Sequence, residues 1–171
     1  MSGAERSYNV LFLCTGNSAR SILAEAYMNA RGGTRFHAFS AGSNPAGRVN
    51  PYAIELLASA QIPVEGLRSK AWDEFARPGA SHMDFVFTVC DNAAGEVCPI
   101  WPGQPMTAHW PFEDPAAFAG SPDAIRRKFV DVFLQIRRRI DLFLNLPIRS
   151  LDELALKRKL VELGQNMAGA D

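Results

Sequence analysis

Three cysteines and one arginine are the residues whose type and placement in this chain point to chemistry. Cys14 follows the short apolar run 8–13, and Arg20 stands six positions after it. The residues between them are small or polar, as in a turn: Thr15, Gly16, Asn17, Ser18 and Ala19. A cysteine thiolate beside an arginine is a nucleophile suited to attack on a tetrahedral oxyanion.

The turn that starts at Cys14 is predicted to bind that oxyanion. Backbone N–H groups in such a turn converge on one point, and the dipole of a following helix adds positive potential there. The fork of Arg20 can bind two oxyanion oxygens. In this setting Gly16 permits close approach of the backbone, Asn17 braces the loop, and Ser21 is placed to hydrogen-bond the sulfur.

The same surroundings predict a reactive thiol. Positive potential lowers the pKa of a cysteine, to about 3.5–7.5 in activated examples, so we expect Cys14 to be a thiolate at neutral pH. A Cys six positions before an Arg is a weak pattern alone, and the alternative is a buried structural Cys with an Arg in a surface salt bridge. An apolar strand before the loop and a helix after it favour the functional interpretation.

Alternating strands and helices are predicted to position this loop. The strands are expected at 8–13, 35–40, 84–90 and 106–109, and the helices from about 20 to 31, from Pro51, around 72–75, from Ser121 and Pro122, and over 150–164. The pattern predicts a doubly wound α/β sheet of about four strands. The last helix has a capping-box start at Ser150 and a stop at Gly164. In the helix that begins at Pro122, the basic run is interpreted as a solvated face.

Composition narrows the class of protein. The 171 residues carry 18 basic and 18 acidic side chains, and this balance argues against general nucleic-acid or membrane-surface binding. Apolar runs are shorter than the roughly 20 residues that cross a bilayer, and three cysteines do not indicate a disulfide framework. We expect a cytoplasmic protein with one domain over 1–146 and a helical extension, not a separate domain, over 147–171.

Residues 10–21 resemble the phosphate-binding loop of low-molecular-weight protein tyrosine phosphatases and of the arsenate reductases that share their fold. The resemblance covers about residues 8–145, and its further motifs are Ser40 to Gly42, Asn50 with Pro51, and Asp114 with Pro115. It implies a four-stranded parallel sheet in the order 2-1-3-4 with helices on both faces. It also implies that Asp114 is the general acid; the alternatives are the neighbouring Glu113 and a plain turn carboxylate.

The other two cysteines resemble those of three-cysteine arsenate reductases. That resemblance implies a Cys14–Cys90–Cys98 thiol/disulfide relay that reduces arsenate to arsenite with an external thiol reductant, thioredoxin or glutaredoxin, and no bound cofactor. The alternative is a phosphatase that needs Cys14, Arg20 and Asp114, with Cys90 and Cys98 incidental. A zinc site from Cys90, Cys98 and His109 is disfavoured by their spacing. No metal is predicted.

One departure from the resemblance concerns a cation. Some relatives bind potassium beside the anion loop through equivalents of Asn17, Glu25 and Ser40 plus an acidic residue. Here Lys70 stands where that acid is expected. The hypothesis is that the Lys70 ammonium replaces the ion, pairs with Glu25 and braces Asn17; the alternative is an exposed lysine.

Overall fold

Four short strands form one parallel sheet. The computed structural model describes residues 7–89, 101 and 104–168, with side chains as far as Gln165. The strands are β1 (Tyr8–Cys14), β2 (Phe36–Gly42), β3 (Phe85–Thr88) and β4 (Met106–His109), in the order β2-β1-β3-β4. This confirms the predicted order. β1 lies in the centre, where Val10 to Leu13 are fully buried, as expected of a strand covered on both faces.

The helices flank this sheet. They are α1 (Arg20–Arg31), α2 (Pro51–Ser59), α3 (Pro122–Leu144) and α4 (Glu153–Ala168), with 3₁₀ helices at Trp72–Phe75, Pro115–Ala117 and Ile148–Ser150. Asn50 and Ser121 cap α2 and α3, each followed by proline at the first helical position. Within the described ranges, no helix is long and apolar enough to cross a membrane.

Each face of the sheet has its own apolar cluster. On one face Val10 and Phe12 pack with residues of α1 and α3, among them Leu23, Phe129 and Ile136. The opposite face packs Leu11, Leu13 and Val86 against Phe75 and Trp101. The alternation of neighbouring β1 residues between the two clusters follows from the two-residue period of a strand.

Several predicted boundaries shift by one to three residues. β2 runs two residues further than predicted, to Gly42, and β3 is shorter, ending at Thr88. Helical spacing predicts Ala30 and Ala60 on the apolar faces of α1 and α2, but both are exposed, because each stands at the end of its helix.

The start and the end predicted for the last helix are wrong. Asp152 caps α4 by accepting a hydrogen bond from the Ala155 N–H, whereas the Ser150 hydroxyl donates to the Pro147 carbonyl in the preceding turn. Gly164 does not stop the helix. It faces the His109 carbonyl oxygen, which a Cβ at this position would hit, so the glycine allows close packing of α4 on β4.

The last helix completes the core beside the edge strand. Leu156 and Leu160 join the larger apolar cluster, and the Trp110 indole donates to the Leu160 carbonyl at 3.1 Å. α4 also packs on α3. The chain beyond Pro147 therefore packs on the same core as the rest, and its description as an extension stays a prediction.

Candidate active site

Cys14 ends the central strand at the carboxyl edge of the sheet. Its side chain is 3% exposed, and its Sγ lies 3.2 Å from the Ser21 hydroxyl oxygen. The helix α1 starts six residues later with Ala19 at the N-cap position, where no side chain caps the first turn. Its first N–H groups therefore add positive potential beside the thiol.

Backbone hydrogen bonds hold the loop in place. The carbonyl oxygens of Cys14, Thr15, Gly16 and Ser18 accept from N–H groups of residues 43–50, at 2.9–3.3 Å. These hydrogen bonds occupy the carbonyl oxygens of the loop, whose partial negative charge would otherwise repel an oxyanion.

Asn17 braces the loop from inside. It is fully buried and has a φ of 45°, a left-handed conformation that asparagine tolerates better than most residues. Its Nδ2 donates to the hydroxyls of Ser21 and Ser40, at 2.8 and 2.9 Å, and its Oδ1 accepts from the Lys70 N–H at 2.8 Å. The side chain thus joins α1, β2 and the segment that carries Lys70.

The glycine that the folded chain requires here is Gly42. A Cβ at Gly42 would collide with the Thr15 carbonyl oxygen and lie 3.0 Å from the Asn17 nitrogen. At Gly16 a Cβ would meet only the Ser18 hydroxyl, at 3.8 Å. The prediction for Gly16 concerns the approach of an anion and stays a prediction.

Behind Asn17 lies a buried ion pair. The Lys70 ammonium is 3.7 Å from Glu25 Oε1 and 3.5 Å from the Ser40 hydroxyl, and it donates to the Arg68 carbonyl at 2.8 Å. The Ser40 hydroxyl donates to Glu25 Oε1 at 2.5 Å. Lys70 is 8% exposed, so the alternative of an exposed lysine is wrong.

Burial disfavours the charge on both members of this pair. It raises the pKa of Glu25, and the Lys70 ammonium partly offsets that rise. Burial also lowers the pKa of Lys70, with a partial offset from the Glu25 carboxylate. The charge of each group therefore favours the ionised form of the other.

Arg20 and Asp114 meet beside the loop. Arg20 Nη1 donates to the Phe112 carbonyl at 3.1 Å, and Nη2 is 3.5 Å from Asp114 Oδ2. The other Asp114 oxygen accepts from the Ala116 N–H and caps the 3₁₀ helix that follows. Glu113 instead pairs with Lys128 at 3.0 Å, so the structure separates the two adjacent carboxylates and places Asp114 toward Arg20.

Arg139 lies under this segment and was missed by sequence reasoning. It is 1% exposed, and its guanidinium carbon is 4.5 Å from the centre of the Phe112 ring. In the described part of the chain its Nε and Nη1 have no hydrogen-bond partner. A signal was present, because Arg139 stands three residues after Ile136 and four before Phe143 on the buried stripe of α3.

Cys90 and Cys98 lie outside the described residues, so their predicted roles stay predictions. The chain that leads to Cys90 is placed next to the loop: Leu13 pairs with Thr88 in register, and the Val89 N–H donates to the Leu13 carbonyl at 2.8 Å. Among the residues described, no group of His, Cys, Asp and Glu is arranged to hold a metal ion.

A thiol on a strand-to-helix loop, with an arginine and a carboxylate beside it, is the arrangement of an enzyme that attacks an oxyanion covalently. The comparisons with known proteins agree with this class. A sequence model described as low molecular weight phosphotyrosine protein phosphatase matches residues 9–158, and the chain belongs to this family.

The chain is similar to proteins named arsenate reductase. It is 34% identical to one from Bacillus licheniformis over 135 residues, 78% of this chain and 93% of that protein. It is 36% identical to one from Bacillus cereus strain 03BB102 over 139 residues, 81% of this chain and 96% of the relative. A solved structure described as an arsenate reductase in the phosphate binding state superposes with a TM-score of 0.64 at 27% identity, over 80% of this chain and 96% of that one.

Proposed function

We propose that this protein reduces arsenate to arsenite, with Cys14 as the nucleophile. The observation that carries the proposal is the position of the Cys14 thiol. It contacts the Ser21 hydroxyl in the loop before α1, whose first turn has no side-chain cap, and Arg20 and Asp114 meet beside that loop. Two relatives more than 30% identical over most of the chain are named arsenate reductase, which supports arsenate as the oxyanion.

The first step forms a covalent adduct on sulfur. The Cys14 thiolate attacks arsenic(V), Arg20 leaves the Phe112 carbonyl and Asp114 to bind two oxyanion oxygens, and a hydroxyl departs as water. Asp114 donates the proton that this departure needs. The contact between Asp114 and Arg20 keeps the general acid next to the oxyanion-binding arginine before the substrate binds.

The reduction then moves through the other two cysteines. The Cys90 thiolate attacks the Cys14 sulfur, the electron pair of the S–As bond passes to arsenic, and arsenite leaves. Cys98 next attacks Cys90, which frees Cys14 and leaves a Cys90–Cys98 disulfide. Two thiols are thus oxidised for each arsenic(V) reduced to arsenic(III). An external dithiol of the thioredoxin or glutaredoxin class restores them, and no bound cofactor takes part.

Within this proposal Lys70 takes the place of a potassium ion. Its ammonium stands among the Glu25 carboxylate, the Ser40 hydroxyl and the Arg68 carbonyl, the kinds of oxygen that would hold an alkali cation. A positive side chain at that point does not fit a second cation. Lys70 and Glu25 act as positioning residues through Ser40 and Asn17, which is bonded to Ser21.

The deciding experiment replaces Cys90 with serine. With arsenate and an excess of thioredoxin, thioredoxin reductase and NADPH, C90S is expected to lose turnover, because the adduct has no second thiol to attack it. With p-nitrophenyl phosphate, C90S is expected to keep whatever rate the unmodified protein has, since that reaction needs Cys14, Arg20 and Asp114. C14S is the matched control and loses both.

A thiol count separates reductase from phosphatase directly. The chain has three cysteines. After one stoichiometric arsenate turnover without reductant, the relay leaves one reactive thiol, whereas a protein that only binds or hydrolyses the oxyanion keeps three. Retained arsenate turnover by C90S would overturn the relay. Phosphatase activity without arsenate turnover in the unmodified protein would favour the phosphatase alternative.

A further inference from the structure

Arg139 is a buried cation to which the described protein gives no anion. It is 1% exposed, and its Nε and Nη1 have no hydrogen-bond partner among the described residues. Burial lowers the pKa of its guanidinium to about 10, so it is still charged at neutral pH. Its aromatic contact is the Phe112 ring, at 4.5 Å. Such a side chain opposes folding, because a charge taken out of water without a partner is unfavourable.

Phe112 links this cation to the reacting groups. Its N–H donates to the Val89 carbonyl at 3.1 Å, and its carbonyl accepts from Arg20 at 3.1 Å. Two residues later comes Asp114, which is held to Arg20. Phe112 is 7% exposed and packs in the core. A contact that fixes its ring therefore also restrains the segment 112–114.

A purely structural role does not explain the choice of arginine. An apolar side chain of similar size would fill the same space without the desolvation penalty, and replacements of this kind are often neutral or stabilising. The guanidinium adds a cation–π contact, which favours one position of the Phe112 ring. Active sites commonly contain residues that lower the stability of the fold but hold catalytic groups in position.

We propose that Arg139 is a positioning residue for the general acid: it clamps the Phe112 ring and thereby holds Asp114 at the loop. This inference rests on the proposed function, because it needs an acid-assisted departure from Cys14. It assigns a role to a residue that does not itself touch the substrate.

The test is a double-mutant cycle between Arg139 and Asp114, with arsenate turnover as the readout. D114N alone is expected to lower kcat by about 10²–10⁴-fold, the usual contribution of a general acid. R139M is expected to lower kcat by about tenfold with little change in KM, since a misplaced acid slows the chemical step. If Arg139 acts through Asp114, the variant with both changes is no slower than D114N.

Stability and a matched neighbour distinguish positioning from folding. R139M is expected to unfold at the same urea concentration as the unmodified protein or higher, while R138M, on the exposed side of the same helix, changes neither kcat nor stability. R139K keeps a cation and should recover part of the rate. F112L removes the ring and should match R139M, and adding R139M to F112L should change nothing further.

Three results would overturn the inference: independent, multiplying effects of D114N and R139M; an R139M effect on KM alone; or unchanged kcat in R139M. If R139M does not fold, the same double-mutant cycle with D114N is measured with R139K and with F112L in its place. If the unmodified protein turns over p-nitrophenyl phosphate but not arsenate, the proposed function fails while the cycle is still measured on that phosphate. A protein inactive on both substrates overturns both proposals.

Discussion

Two buried cations stand behind this active site, and their surroundings differ. Lys70 lies behind the Cys14 loop with a carboxylate, a hydroxyl and a carbonyl oxygen around its ammonium. Arg139 lies behind segment 112–114, against the Phe112 ring, and in the part of the chain that the structure describes two of its nitrogens have no hydrogen-bond partner. The first cation is part of a polar network, and the second is packed among apolar groups.

The difference predicts opposite effects on stability. Removing one member of a buried ion pair leaves the other charge without compensation, whereas removing an uncompensated charge relieves the fold. Lys70 should therefore be needed for both folding and loop geometry, and Arg139 for geometry alone. Variants of Lys70 test the first half of this contrast.

Lys70→Met should lower the free energy of unfolding by about 3–5 kcal/mol at neutral pH, the range for breaking a buried ion pair from one side. The partly buried Glu25 carboxylate would keep the Ser40 hydroxyl as a donor but lose its ammonium partner. Urea denaturation followed by circular dichroism measures this effect. A decrease in the free energy of unfolding below about 1 kcal/mol would show that the Lys70–Glu25 pair contributes no more than an exposed ion pair does.

Two variants serve as controls for Lys70→Met. Arg68, two residues before Lys70, forms an exposed ion pair with Glu74. Arg68→Met breaks that pair and should lower the free energy of unfolding far less than Lys70→Met does. Glu25→Gln combined with Lys70→Met removes both charges and should recover part of the lost stability, with a coupling energy of about 0.5–3 kcal/mol. Additive effects of the two changes would contradict direct pairing.

The sequence was sufficient for the fold and for the position of the loop at the edge of the sheet, because both depend on local patterns. Strand–helix alternation predicts the parallel sheet, and the spacing of Cys14 and Arg20 predicts an anion site at its carboxyl edge. Ser21 near the sulfur also follows, since the loop runs directly into α1. These features depend on residues close to one another in the chain.

The missed features depend on contacts between distant segments. Gly164 resembles a helix stop in sequence, and only the packing of α4 on β4 shows why a glycine is required inside the helix. Arg139 belongs to a run of three arginines that resembles a solvated face. Its burial depends on the position of Phe112, 27 residues earlier in the chain.

Lys70→Met should also change how stability depends on pH. Because the folded-state pKa of Glu25 is raised above 4.5, the folded protein binds this proton more tightly than the unfolded chain, and stability falls as pH rises from 4.5 through the folded pKa. Without the Lys70 charge, that pKa rises further and the fall extends to higher pH.

The alkaline side should change in the opposite sense. The folded-state pKa of Lys70 lies below 10.5, so unmodified protein gains stability as pH rises from the folded pKa toward 10.5, and Lys70→Met lacks this gain. Measuring the free energy of unfolding from about pH 4 to about pH 10 tests both the acidic and the alkaline change. The variant with both Glu25→Gln and Lys70→Met should show neither, and identical profiles for Lys70→Met and unmodified protein would contradict the pairing.

The smallest expected effect is that of potassium. If the Lys70 ammonium fills the place of an alkali cation, replacing sodium with potassium at equal ionic strength should leave the melting temperature and the KM for arsenate unchanged, since a ligand stabilises only the state that binds it. Lys70→Met opens that place beside Glu25, Ser40 and the Arg68 carbonyl, so potassium should recover part of its lost stability where sodium does not. The unmodified protein is the matched control. A clear potassium response in the unmodified protein would show that the ion and the lysine do not compete for one position, and the network behind Cys14 would then need a different account.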